Sequence, residues 1–339
     1  MLGRDVMKNR KQSYGFSLVE LLVAMVVGLI IVSGAFSLHS GTRKTQAVNE
    51  MQMDMAADAR FAIDMISYDL RHAGMYGGTN KDGLIECRST DASCTGAVPA
   101  AVGNDCGVGW AYNLSRAVSA INNTAGNPYS GSCIPPSEGY LANTDILEIR
   151  YADSNYLSSV TGLPKALTNG QAYVRSNFAS GRIFTGTAQP VIGKFDSDPN
   201  ITHNYVLHAF AYYISDHTDA TGDGIPSLRR AALVNGPAMQ KQVLISGVAD
   251  LQVQFGENTD GDANNTIDRY VDPNAVADWT QVYAAKIWLL MRSDEKQKGV
   301  DTTKSFSIAG APAASFGGQD DYRYFLVTSV VDLRNLRQI

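Results

Sequence analysis

Three sets of residues in this chain are of types and spacings that could do chemistry. The first is a single carboxylate: Glu20 is the one charged residue in the 23-residue stretch from Phe16 to Leu38, which is otherwise largely apolar and has no proline. A charge placed in hydrocarbon costs ~2.5–3.5 kcal/mol even on lenient scales, so such a residue ordinarily marks a function. The second set is Cys87, Cys94, Cys106 and Cys133, all within 47 residues and with no cysteine elsewhere. An even, clustered set in an exported chain reads as two disulfides with three allowed connectivities. Nearest-neighbour pairing, Cys87–Cys94 with Cys106–Cys133, is the expected one. Zinc is the competing use of four thiols, but it favours short Cys-x2–4-Cys pairs, and the gaps here are 6, 11 and 26 residues.

The third set is a loop in which Asp260, Asp262, Asn264, Thr266 and Asp268 place oxygen donors at alternate positions. Calcium loops use that spacing because alternate residues of a tight loop point inward. The loop departs from an EF-hand: Asn265 replaces the sixth-position glycine and Val271 the twelfth-position glutamate. The plain alternative is an exposed hairpin loop rich in turn formers. Asp216, Asp219 and Asp223 form a weaker candidate of the same kind. Catalysis finds little support. His39, His72, His203, His208 and His217 form no HExxH pair, and no P-loop, Gly-x-Ser-x-Gly or Rossmann fingerprint occurs. The chain therefore reads as non-enzymatic, with calcium the one cofactor candidate.

The elements that must position these groups begin with the apolar stretch. Twenty-three residues suffice to cross a hydrocarbon core of ~30 Å. Arg4, Lys8, Arg10 and Lys11 precede it, and Arg43 and Lys44 follow it. The balance predicts an N-in, C-out single span. A secretory signal peptide has a shorter core with its cleavage site behind it. Here the candidate site, Gly15-Phe16, comes first, so the apolar run stays in the mature chain.

Beyond Leu38 the pattern becomes amphipathic. Val48, Met51, Met55, Ala59, Ala62, Ile63, Ile66 and Leu70 recur at spacings of three and four among charged residues, one face of a helix. Gly74 and Gly77-Gly78 supply a stop. The spacing predicts one helix from about Phe16 to His72, roughly 85 Å long. From Gly77 to about Tyr140 the composition shifts to Gly, Ser, Asn, Thr and Pro around the cysteines, a loop region with short helices near Leu114–Ile121. Strand patterns follow at Asp145–Tyr151, Val206–Ile214, Leu228–Val234, Gln242–Phe255, Val282–Arg292 and Tyr322–Leu333. No long helix separates them, so the sheet should be mostly antiparallel and the class α+β.

With 339 residues and 45% hydrophobic content the chain can bury a sizeable core, which excludes global disorder. The formal net charge is −5; residues 1–15 carry +3, leaving −8 beyond them. An acidic exported portion argues against nucleic acid as a partner.

The segment Lys11-Gln12-Ser13-Tyr14-Gly15-Phe16-Ser17-Leu18-Val19-Glu20-Leu21-Leu22-Val23-Ala24-Met25 resembles the class III signal of type IV pilins and type II secretion pseudopilins. It differs from many major pilins in lacking a proline in the apolar helix. The resemblance implies that a membrane-bound prepilin peptidase cuts between Gly15 and Phe16 and methylates Phe16. It also implies that Glu20 faces the N-terminal amine of a neighbouring subunit in the filament core.

Tyr212-Tyr213-Ile214, Leu228-Arg229-Arg230, Gly247 to Gly256, Asp268 to Asp272, Val282 to Arg292 and Phe325 to Asn335 are similar to PilW-type minor pilins. A pilin-like α+β fold follows from that likeness: a long helix, membrane-spanning in its first half, packed on an antiparallel sheet with a disulfide-clamped loop region. The implied layout is a leader (1–15), a transmembrane and filament-core half-helix (16–42), an amphipathic half (43–76) and an exported β-rich domain (77–339). The implied role is a minor pilin in initiation and assembly of type IV pili, in a tip priming complex. Its partners would be other minor pilins, the major pilin and a large tip adhesin. It would sit in the inner membrane with its domain in the periplasm, then at the pilus tip. The rival readings are a J-type minor pseudopilin of type II secretion and a calcium-dependent, membrane-anchored adhesin domain.

Overall fold

In a computed structural model of the chain, the apolar and amphipathic runs form one unbroken helix, α1 (Leu18–His72), of 55 residues. The structure describes residues 15–89, 94, 98–157, 166–260, 266–297, 305–309, 314–315 and 321–337. Helix α1 ends where the sequence stops favouring it. Gly74 adopts φ +77°, and a Cβ there would lie 2.4 Å from Leu336, so both backbone and space call for glycine.

The chain divides into two compact units, Met1–Asp54 and Met55–Ile339. In the first, the side chains of Leu18, Val19, Leu21, Leu22, Leu29, Ile30, Ile31, Val32, Phe36 and Leu38 are all exposed. The helix is long and apolar enough to cross a membrane. In the second unit the face predicted from the spacing is buried: Met55, Ala59, Ala62, Ile63, Ile66 and Leu70.

The strands are β1 (Ile85–Glu86), β2 (Val118–Ile121), β3 (Ile146–Leu157), β4 (Ala172–Ser176), β5 (Gly181–Thr185), β6 (His203–Ser215), β7 (Ser227–Val234), β8 (Ala238–Ser246), β9 (Val248–Glu257), β10 (Arg269–Val271), β11 (Val282–Arg292), β12 (Ser305–Phe306), β13 (Ala314–Ser315) and β14 (Tyr324–Asp332). Eight of them make one sheet in the order β1-β5-β4-β6-β3-β2, with β7 joined to β6 and β8 to β7. A second sheet runs β10-β9-β11-β14, and β12 pairs β13. Among the described residues every pairing between these strands is antiparallel except β1 with β5. The α+β class therefore holds.

Three expectations change. Gln242–Phe255 is two strands, because Gly247 turns the chain at φ +70° with its site only 2.6 Å from the Arg292 carbonyl. The short helices expected near Leu114–Ile121 are replaced by β2, whose Val118–Ile121 pairs with Ile146–Ile149 of β3; a 3-10 turn sits upstream at Trp110–Tyr112. Strands β4 and β5 escape a pattern search because β4 is buried on both faces and so lacks alternation. It even carries Arg175, whose guanidinium is satisfied by Asp196 at 3.1 Å and Gln189 at 2.8 Å.

The cysteine region is stitched to β3 by one side chain. Arg150 is 1% exposed, and it donates to the carbonyls of Trp110 and Arg116, each at 2.7 Å. Its remaining nitrogen pairs with Glu148 at 3.2 Å. Glu148 in turn accepts from Ser119 at 2.7 Å and from the Tyr129 hydroxyl. Loop backbone with little regular structure is thereby anchored through buried, charge-assisted hydrogen bonds.

Candidate functional site

The start of α1 is built by its own first residues. Ser17 is the N-cap: its Oγ accepts from the Val19 N–H at 3.3 Å. Glu20, three residues on, reaches back so that Oε2 accepts from the Ser17 N–H at 3.0 Å. This is a capping box, in which two otherwise orphan helix donors are satisfied reciprocally. The same carboxylate opposes the positive end of the helix dipole. Phe16 is 85% exposed, and the space beside Gly15 is open to at least 4 Å. The Gly15–Phe16 bond thus lies next to an accessible glycine, one residue before the cap. Cutting it would create an ammonium group on Phe16, beside a helix end that disfavours positive charge. A carboxylate at Glu20 is the group that can offset it. Lys8, Arg10 and Lys11, upstream of this bond, lie outside the described residues.

A second constellation, within the unit Met55–Ile339, holds the end of α1 on the large sheet. Asp69 is 4% exposed. Its Oδ1 accepts from the Tyr151 hydroxyl at 2.7 Å, its Oδ2 from the Tyr212 hydroxyl, and Arg230 stands 3.5 Å away. Tyr151 lies on β3, Tyr212 on β6 and Arg230 on β7, so one helix carboxylate engages three strands. Burial, reinforced by the Asp69 charge, holds both phenols well above their ordinary range, so they remain hydrogen-bond donors. By sequence alone Asp69 falls among the charged residues that flank the apolar face. What betrays it is Leu70 beside it and the tyrosine-rich strands facing it, a signal legible only once α1 is docked.

The cysteines pair as Cys87–Cys94 and Cys106–Cys133, with Cα atoms 4.6 Å apart in each. Cys106 and Cys133 lie in the core beside Ile134 and Ile146. Of the acidic loop, Asp262 and Asn264 lie outside the described residues. Asp260, Thr266 and Asp268 are described, and Asp268 is engaged locally, accepting from the Thr259 N–H at 2.7 Å and its hydroxyl at 3.0 Å. Asp223 is likewise an acceptor within its own turn, from Thr218 and Ile225, and Asp216 bonds His217 at 2.6 Å. Among the described residues no group of three or more His, Cys, Asp or Glu side chains is placed to hold a metal ion.

A third cluster sits where the two sheets meet. Asp145 is fully buried. Its N–H donates to the Leu251 carbonyl at 2.9 Å, and its carboxylate accepts from Val253 N–H at 2.8 Å and Asn123 N–H at 2.9 Å. It clasps β3 to β9. Burial pushes its carboxyl up to about 7, against the pull of those two N–H groups, and the charges of Asp250 and Asp272 push the same way. Asp250, buried beside Gln252, is raised to about 6.

The family model for type IV pilus-assembly protein W matches residues 211–335, and that for the prokaryotic N-terminal methylation motif matches residues 10–36. No curated protein matches the chain significantly. Among solved structures the chain is similar to a type IV-like pilin from Thermus thermophilus, at 10% identity and a TM-score of 0.32, over 84% of this chain and 97% of that one. The methylation motif spans the capping box and the first turns of the apolar helix. The assembly match runs from the middle of β6 through β14. Together the two matches support a type IV pilus-assembly protein of the PilW type.

Proposed function

We propose that the chain is a minor pilin that initiates type IV pilus assembly as part of a tip priming complex, without catalytic activity of its own. The observation that carries the proposal is the capped start of α1. An exposed, apolar, uninterrupted helix begins with Ser17 and Glu20 locked together one residue beyond an accessible Gly15–Phe16 bond. A prepilin peptidase would remove residues 1–15 and methylate Phe16. The apolar half-helix would hold the chain in the inner membrane, N-in and C-out, and later pack among the helices of other minor pilins and the major pilin. Exchanging lipid for helix neighbours is cheap for apolar side chains. The buried charges, the new ammonium and Glu20, are the part that must be matched between subunits, which gives the contact its register. The domain beyond the helix would present its surface to tip partners, including a large adhesin.

Deleting the gene and scoring surface pili and twitching motility tests this reading. Loss of both, with restoration by the full chain, is the expected result. Intact pili and motility in the deletion strain would overturn it. Mass spectrometry of the mature chain should find a methylated Phe16 at its start, and any other terminus would count against the processing step.

A further inference from the structure

Natural sheets guard their edges, since an unpaired strand edge is a template for another strand. Most edges here are guarded. Strand β1 has two residues, β2 four and β10 three. The longer edge strand β8 carries Lys241 between Gln240 and Gln242, and its pairing with β7 is broken by a register shift. Strand β14 has none of these devices. It is nine residues long, reads Tyr-Phe-Leu-Val-Thr-Ser-Val-Val-Asp, contains no proline and no charge before Asp332, and pairs β11 through nine successive positions without a shift.

The polarity of that edge follows from its two ends. Leu333 N–H donates to the Tyr283 carbonyl, and Ser293 N–H to the Arg323 carbonyl, each at 2.9 Å. Both pairs continue the register directly, so odd-numbered residues of β14 direct their backbone groups at β11. Leu326, Thr328 and Val330 therefore turn theirs away. Among the described residues no strand pairs with that side. The side chains are unfinished as well. Met291 and Leu289 are buried, yet their cross-strand neighbours Phe325 and Val327 lie at the rim, Phe325 44% exposed. Val330 is 54% exposed.

We propose that β14 is a strand-addition site that receives an extended, uncharged segment with alternating apolar residues from a neighbouring pilin-like subunit. A row of outward N–H and C=O groups at strand spacing is complementary to another strand and to no other element. An apolar residue at every second position of the incoming strand would complete the layer that Phe325 and Val327 leave open. The choice of a different subunit rests on the assembly reading. Edge-to-edge pairing of two copies would be isologous and closed, whereas a growing filament needs contacts that do not close.

The test uses the full-length chain in the deletion strain. Thr328→Pro removes one outward N–H and leaves the bonds to β11 intact, because proline is tolerated on an edge where the N–H faces out. It should reach the membrane at the wild-type level, while its recovery in sheared pili falls about tenfold, from the loss of strand addition. Thr328→Val should behave as wild type. A photo-crosslinking residue at Val330, in otherwise wild-type chain, should yield an adduct with an extended segment of another pilin-like subunit. Full recovery of Thr328→Pro in pili, an adduct with a second copy of this chain alone, or no adduct in assembled pili would each overturn the inference. If Thr328→Pro fails to accumulate, the crosslink decides. Normal pili in the deletion strain would defeat the assembly reading separately, and the crosslink would then decide whether the edge receives a strand.

Discussion

The Tyr151 hydroxyl donates to Asp69 at 2.7 Å across 82 residues of sequence, tying the last turn of α1 to the middle of the large sheet. With Tyr212 and Arg230 on the same carboxylate, this is where the polar part of the helix–sheet contact is concentrated. The surrounding Ile66 and Leu70 are fully buried and supply the apolar part. Removing the carboxylate would leave two buried phenols without their acceptor and Arg230 without its counter-charge, although Arg230 keeps Gln242. Asp69→Ala is therefore expected to destabilise the domain by about 3–5 kcal/mol, the usual consequence of breaking a buried charged pair from one side. Tyr212→Phe, which deletes one donor, should cost only about 1 kcal/mol. Thermal melts of the full-length chain in detergent would show the difference. Equal melting points for Asp69→Ala and wild type would remove this contact from the account of stability.

Glu20→Ala is expected to separate processing from assembly. Cap loss costs the helix about 1 kcal/mol, too little to abolish a 55-residue helix, so cleavage at Gly15 should proceed. Incorporation should suffer, because the Phe16 ammonium then has no carboxylate to face. The readout is the amount of mature chain in the membrane against the amount in sheared filaments. Undiminished recovery in filaments would show that Glu20 serves the helix start alone.

The seam between the sheets should make stability depend on pH. Burial raises the Asp145 carboxyl to about 7, while in the unfolded chain it titrates near its ordinary value of about 3.9. Between those values the folded protein holds a proton that the unfolded one has lost. Its contribution is fully present below about 4 and is lost as pH climbs through 7. Asp250, raised to about 6, acts in the same sense. Glu148, lowered mainly by Arg150 against its burial, acts oppositely but only in acid, below the ordinary glutamate range. Asp145→Asn should flatten the decline in melting temperature between about pH 4 and 7, the span between the two titrations. It should also lower the plateau, because an amide cannot accept from both Asn123 and Val253. An unchanged pH profile would show that Asp145 is not the titrating group.

The two disulfides should differ in worth. Cys106–Cys133 closes 27 positions and Cys87–Cys94 only 7. Replacing Cys106 and Cys133 with serine is expected to cost about 3–4 kcal/mol, and removing the shorter bridge about 1 kcal/mol less, if the unfolded chain is what the bridge restrains. Melts of the two double variants check the order. A larger loss from the Cys87–Cys94 pair would mean that native-state packing, and not loop closure, sets their value.

What the sequence by itself determined is the part governed by local rules. An uninterrupted apolar run, a helical repeat of small and apolar residues and a glycine stop specify α1 almost to the residue. Ser17 and Glu20 stand at capping-box spacing whatever the rest of the chain does. Runs of apolar, aromatic and β-branched residues were enough for β3, β6, β7, β11 and β14, and the clustering of four cysteines was enough to expect two bridges. The tertiary structure decided what depends on partners distant in sequence. Strand β4 is buried on both faces and carries Arg175, so no periodicity announces it. Within the Leu114–Ile121 segment, Val118–Ile121 is a strand because β3 offers Ile146–Ile149 to pair with. Asp69 reads as one of the charged residues flanking a helix face and Asp145 as the start of a strand, until the sheets place two tyrosines around one and two backbone N–H groups around the other. A helix satisfies its backbone within its own span, whereas an edge, a buried carboxylate and a sheet seam acquire meaning only from what the fold sets beside them.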